Sequence, residues 1–227
     1  MSQRSNWEIL NATFGSSRMA AYVLESNGNQ DKAVELYVWN SRVSASLWEL
    51  LGYVEVGLRN LISARIQILH EVAGGKNHWL LAQDENVLNL RANWIQGINE
   101  ARRRVNENRK EVTGEQILSE LTFGFWHQLV SKKAASIWPD IASGFKGLPA
   151  RDQSQVADLV ESLRQLRNRI GHHHRVWNLD LNMHLGQILT LAHFIDPELS
   201  AWINELEESS ALIGSRPSKL SDAPSTN

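Results

Sequence analysis

From Asp31 to Val72 the chain reads DKAVELYVWNSRVSASLWELLGYVEVGLRNLISARIQILHEV, with an apolar residue every three or four positions. Leu47, Leu50, Leu51, Val54, Leu58, Leu61, Ile62, Ile66 and Leu69 fall on one stripe, as a helix with a single buried face requires. No other feature restricts the fold as strongly. A strand cannot carry this period, and a face this long needs other helices to cover it. The run ends at Gly74 and Gly75, which suit a helix C-terminus. The polar residues between Asn40 and Ser44 predict a break that divides the run into two helices.

The same period recurs along the chain. Residues 16–26 read as a short helix with Ser16 or Ser17 as N-cap, followed by a turn at NGNQD. Residues 84–110 give another. Thr113, with Gln116 three residues later, has the spacing of a capping box. A short helix around Pro139, a helix over 151–172, and two more over 182–195 and 197–212 complete the series, the last two separated at Asp196-Pro197. Strand alternation and internal repeats are missing. The expected fold is all-α, a bundle of about six to eight helices. It spans 1–213 as one domain, and the polar, Pro/Ser-rich tail at 214–227 reads as disordered.

A chain of 227 residues that is 42% hydrophobic has enough apolar side chains for a real core. Its net charge of −2 argues against a broad basic surface but allows a local basic patch. Nine scattered tryptophans read mostly as core or interface anchors. Cysteine is absent, so disulfides and thiolate metal sites are ruled out. The N-terminus has no signal-peptide core, and no window approaches the length of a membrane span. A cytoplasmic protein without membrane contact is the expectation.

The chemistry concentrates in QLRNRIGHHHRVWN, residues 165–178. Arg164, Arg167, Arg169 and Arg175 gather there with His172, His173 and His174. On a helix over 155–172, Val156, Leu159, Val160, Leu163, Leu166 and Ile170 form the apolar arc. Asn168 and His172, four apart, share a roughly opposite face, and Arg164 extends that polar row. Arg167 sits at the edge of the apolar arc, where its permanent charge needs a carboxylate, a carbonyl or a phosphate. A guanidinium, an amide and an imidazole so close together suit a phosphodiester. Arginine opposes charge growing on the phosphate, and histidine moves protons near neutral pH. Such chemistry wants a base and an acid, which a twofold dimer supplies from one histidine per chain. The competing reading is a solvated helix end, where basic residues are favoured anyway. Successive helical residues point about 100° apart, so three consecutive histidines do not converge on one ion. His70, His78, His127, His184 and His193 show no ligand spacing. Neither a metal nor a cofactor is expected.

The segment RNRIGH, residues 167–172, resembles the Arg-polar-x-x-x-His signature of HEPN domains, with Asn168 in the polar slot. More narrowly, the chain resembles the bacterial Abi-like (abortive infection) family of HEPN proteins. Five segments carry the likeness in order: SRMAAYVLES at 17–26, ELYVWNSRVSASLW at 35–48, VEVGLRNLI at 54–62, ELTFGFWHQL at 120–129 and LRNRIGHHHRVWN at 166–178. Two departures are Gly171, where the family usually has alanine, and HHHRVWN, where relatives often read HHEPI. The resemblance implies an all-helical HEPN-like bundle with additional helices. It implies a homodimeric, metal-independent endoribonuclease in phage defence, by abortive infection or as a toxin with an antitoxin partner. Arg167 and His172 become the catalytic pair, Asn168 their polar helper and His173 a second-rank candidate. The rival readings are a catalytically silent interaction or sensor module, and a toxin regulated by a partner nucleotidyltransferase.

Supporting roles are assigned more loosely. Glu55 or Asn60 would brace Arg167, although Glu55 is also four before Arg59 and suited to a plain helix-stabilising pair. Arg164 supports the polar row. The run ARRRVNENRK places Arg102, Arg103, Arg104, Arg109 and Lys110 together, either as a track for RNA phosphates or as a solvated helix face. In FGFW, Gly124 is expected to allow close helix approach.

Overall fold

A computed structural model of the protein describes residues 4–82 and 91–217. Among the described residues there are eleven α-helices and no strand. They divide into two compact units: Met1–Glu49 with Arg169–Leu185 and Glu207–Asn227, and Leu50–Asn168 with Gly186–Leu206.

The first unit opens with α1 (Asn6–Phe14) and α2 (Ser16–Glu25). Ser5 and Glu8 form a reciprocal capping box at the start of α1: Glu8 N–H donates to Ser5 Oγ at 3.2 Å, and Ser5 N–H to Glu8 Oε2 at 2.7 Å. The residue before α2 is Gly15 at φ 89°, not Ser16 or Ser17. A left-handed turn is needed there, and glycine meets it without steric cost. Asn27 (φ 51°) and Gly28 (φ 82°) reverse the chain, and Asn29 Oδ1 accepts from Lys32 N–H at 3.0 Å as α3 (Gln30–Val72) begins.

The expected break at Asn40–Ser44 does not occur, because α3 is continuous. Its polar residues have work inside the unit. Asn40 Oδ1 accepts from the N–H groups of Val176 (2.8 Å) and Trp177 (3.3 Å), and Ser41 Oγ donates to Tyr37 O at 3.0 Å. Met19, Tyr22, Ala33, Leu36, Val43, Leu47 and Val176 are buried. α11 (Ser209–Gly214) belongs here too: Trp39 Nε1–H donates to Leu212 O at 2.7 Å, and Ser46 and Ser209 share a 2.6 Å hydroxyl bond. The helix expected over 197–212 is therefore two, α10 (Pro197–Leu206) and α11. Of the polar tail, 218–227 lies outside the described residues. Arg216 donates to Glu25 Oε1 at 2.7 Å and lies over the rings of Trp39 and Trp177.

The second unit takes the rest of α3 with α4 (Ala92–Glu107), α5 (Gly114–Glu120), α6 (Phe123–Val130), α7 (Trp138–Ala142), α8 (Gln153–Gly171) up to Asn168, most of α9 (Leu181–Ile195), and α10. Leu58, Ile62, Ile66, Trp79, Ile98, Ile117, Trp126, Val160 and Leu163 have no more than 2% of their surface exposed. The helix expected over 84–110 is described only from Ala92, with 83–90 outside the described residues. It ends at Glu107, because Arg109 turns left-handed (φ 54°) and Lys110 N–H closes back onto Val105 O at 3.1 Å. Thr113 caps α5 through its hydroxyl, which accepts from Gln116 N–H at 3.2 Å. Pro139 sits in the first turn of α7, where a missing N–H costs nothing.

Gly124 is not the close-approach glycine. A Cβ there would meet only Thr122 Oγ1, at 3.7 Å. The tight contact with α6 comes from Gly97 of α4, where a Cβ would stand 2.9 Å from the Phe125 ring.

Candidate functional site

α8 is helical because Val156, Val160, Leu163, Leu166 and Ile170 recur at helical spacing and are all buried. It ends in a defined cap. His173 N–H donates to Ile170 O and His174 N–H to Arg169 O, each at 2.8 Å, and His173 is left-handed at φ 55°. This is the paired-bond arrangement in which glycine usually holds the left-handed place. The helix ends at Gly171, just before His172, and His173 makes the left-handed turn. His172 is the half-helical residue between them, and it is exposed. Its ring centroid is 5.9 Å from that of His174.

Within the second unit, Arg167 has the carboxylate its position demands. Glu55 reaches it from α3, with Oε2 3.6 Å from Arg167 Nε. Burial holds the Glu55 carboxyl above the usual glutamate value, while Arg167 and then Arg59 pull the other way. About a third of the Arg167 side chain (36%) stays open to solvent. Asn60 faces its neighbour instead: Arg59 Nε–H donates to its Oδ1 at 3.4 Å. Asn168 is half-buried on α8.

Arg164 does not extend a free polar row. It grips Glu161 through two 2.8 Å bonds, and Gln165 donates to the same carboxylate at 2.8 Å. The Arg164 bonds are the main reason that Glu161 is held down to about 2. His127 of α6 approaches Glu161 at 3.3 Å, and burial keeps that imidazole below its ordinary pKa despite the carboxylate.

The basic run is largely occupied. Arg102 donates to Leu80 O at 3.3 Å, Arg103 pairs with Glu107 at 2.5 Å, and Arg104 donates to Glu120 O at 2.7 Å. Arg109 and Lys110 lie beyond the end of α4 and are exposed. Among the described residues no cluster of three or more His, Cys, Asp or Glu could hold a metal ion. No helix among them is long and apolar enough to cross a membrane.

Sequence reasoning missed what surrounds the α8 cap in the first unit. Arg18 of α2 donates through Nη2 to His173 O, and Arg169 Nη2 donates to Arg175 O at 2.7 Å and to Asn178 Oδ1 at 3.3 Å. A cavity of about 740 Å³ opens beside the cap, and it is lined by His173 and His174 but not His172. The one available signal was Arg18 itself, inside the SRMAAYVLES segment.

No curated protein and no solved structure shows significant similarity to the chain. A family model described as Abi-like protein matches residues 13–178, well over half of the sequence. That span contains α2, α3 and α8 up to its capped end, together with all five segments quoted above. The chain belongs to the Abi-like protein family.

Proposed function

We propose that the protein is a metal-independent endoribonuclease of the HEPN type, acting in phage defence as a homodimer. The carrying observation is Arg167, anchored by Glu55 at 3.6 Å yet partly open to solvent, five residues before an exposed His172. This arginine is oriented and still accessible to a phosphate.

In the proposed reaction the ribose 2′-hydroxyl loses its proton to one imidazole and attacks the adjacent phosphorus. The bond from phosphorus to the 5′-oxygen breaks, and a second imidazole protonates that oxygen. His172 of each chain supplies one of the two groups. Arg167 opposes the charge that grows on the phosphate oxygens, and Asn168 holds an oxygen or the imidazole. The products are a 2′,3′-cyclic phosphate and a 5′-hydroxyl. An antitoxin or another defence protein would keep the activity in check.

The test is cleavage of single-stranded RNA by the purified chain in EDTA, with end-group analysis. His172→Ala is expected to cost about 10²- to 10⁴-fold in rate. Arg167→Ala is expected to cost about 10²- to 10³-fold. DNA should resist, because it lacks the attacking hydroxyl. A dependence on Mg²⁺, or an unchanged rate in His172→Ala, would favour the interaction-module reading instead.

A further inference from the structure

Arg216 stands just past the end of α11, in the first unit, and lies over two tryptophans. Its guanidinium carbon is 5.9 Å from the ring centroid of Trp39 and 5.8 Å from that of Trp177, both within the range of a cation–π contact. Its Nη2 donates to Glu25 Oε1 at 2.7 Å. A carboxylate and two indole rings are what a guanidinium needs: an acceptor for its donors and π-surface for its flat faces. The Glu25 side chain is 15% exposed, so its charge is mostly removed from water and calls for a cation close by.

The two indoles are held differently. Trp39 is buried and tied through Nε1–H to Leu212 O at 2.7 Å. Trp177 is half-buried, and its Nε1 is buried with no hydrogen-bond partner among the described residues. That ring is held by what lies against it: Arg216, Arg175 at 5.5 Å, and Tyr22 at 6.3 Å. Arg175 belongs to the same stretch of chain and moves with it. Arg216 comes from far along the sequence and is anchored by α11, through the Trp39–Leu212 and Ser46–Ser209 bonds. Trp177 sits in the connection from α8 to α9, residues 172–180, which also carries His172. Glu25, Trp39 and Trp177 lie inside the span matched by the Abi-like family model, and α11 and Arg216 lie beyond it.

We propose that Glu25, Trp39 and Trp177 form a guanidinium-binding site, and that Arg216 fills it as a latch on the connection that carries His172. The ligand class is a guanidinium and not any cation. An ammonium is a compact, strongly hydrated point charge that meets the carboxylate but does not spread over two rings. With the latch closed, the Trp177 ring is held, and the N–H groups of Val176 and Trp177 keep their bonds to Asn40 Oδ1. With the latch open, the connection loses that hold and opens more often. Arg216 acts on His172 through Trp177, so it is a positioning residue.

The test is hydrogen exchange of the full chain, followed by mass spectrometry in peptides covering 172–180. Arg216→Ala should exchange there about tenfold faster, with α4 unchanged. Glu25→Gln should act in the same direction. Arg42→Ala, which removes an exposed arginine of α3, should change nothing. Millimolar ethylguanidinium should return Arg216→Ala toward the parent rate and saturate, and ethylammonium should not. Neither should affect the parent, whose site is filled. Circular dichroism shows that the variants are folded. If Arg216→Ala is not, Arg216→Lys, which keeps the charge and loses the fork, should still exchange faster than the parent. The latch is overturned if folded Arg216→Ala exchanges like the parent in 172–180, or if α4 speeds up by the same factor. The guanidinium site is overturned if ethylguanidinium restores no more than ethylammonium. One further readout rests on the ribonuclease reading: Arg216→Ala should cleave RNA more slowly, and ethylguanidinium should restore the rate. Faster exchange with unchanged cleavage would count against His172 as a catalytic group, not against the latch.

Discussion

Oε2 of Glu55 lies 3.6 Å from Nε of Arg167, which joins the middle of α3 to the last turns of α8 within one compact unit. The carboxylate fixes the guanidinium without enclosing it. It does so at a cost to itself, since burial raises the pKa of Glu55.

That cost has a measurable sign. A raised pKa in the folded state means that folding favours the protonated carboxyl. The contribution of Glu55 is most favourable below the ordinary glutamate value and is lost as pH rises through its raised folded value. Glu55→Gln cannot ionise and lacks this loss. Urea denaturation of the variant and parent at several pH values should show the variant gaining relative stability from about pH 3.5 to about pH 7. A difference that is flat across this range would remove Glu55 as the source.

The end of α8 holds glycine where alanine would serve better and histidine where glycine would. Gly171 is helical, and a Cβ there would stand 3.4 and 3.5 Å from atoms of the Trp48 ring, an ordinary contact. Gly171→Ala should therefore stabilise the protein by about 0.5–1 kcal/mol. His173→Gly should relieve the left-handed residue by about 1 kcal/mol, and His173→Ala should not. Thermal melts of the three variants decide the order.

Leu163 of α8 is fully buried. Leu163→Ala is expected to cost about 2–5 kcal/mol by chemical denaturation. A loss below about 0.5 kcal/mol would contradict the central place of α8 in its unit.

The arginines at 102–110 should separate by assay. Arg104, bound to Glu120 O at 2.7 Å, should cost about 1 kcal/mol of stability when changed to alanine. Arg109 and Lys110 lie past the helix end, so their replacement should leave stability unchanged. If RNA phosphates pass there, the double variant should instead flatten the salt dependence of RNA binding, by roughly one unit of slope per charge removed.

The all-helical class was legible in the sequence because helical period is a short-range property. Each apolar residue of α3 and α8 states its face through neighbours three or four positions away. The family was legible for a similar reason, since its segments are linear strings. The demand of Arg167 for an anion could be read too, because a permanent charge beside an apolar arc has few acceptable surroundings. The continuity of α3 through Asn40–Ser44 was not. Asn40 looks like a helix breaker until Val176 and Trp177 bring it two N–H donors from far along the chain. Glu55 over Asn60, Gly97 over Gly124, and the meeting of Arg18 with the His173 carbonyl were decided in the same way. Each joins parts of the chain whose approach depends on how whole helices pack, and a local pattern carries no record of that distance.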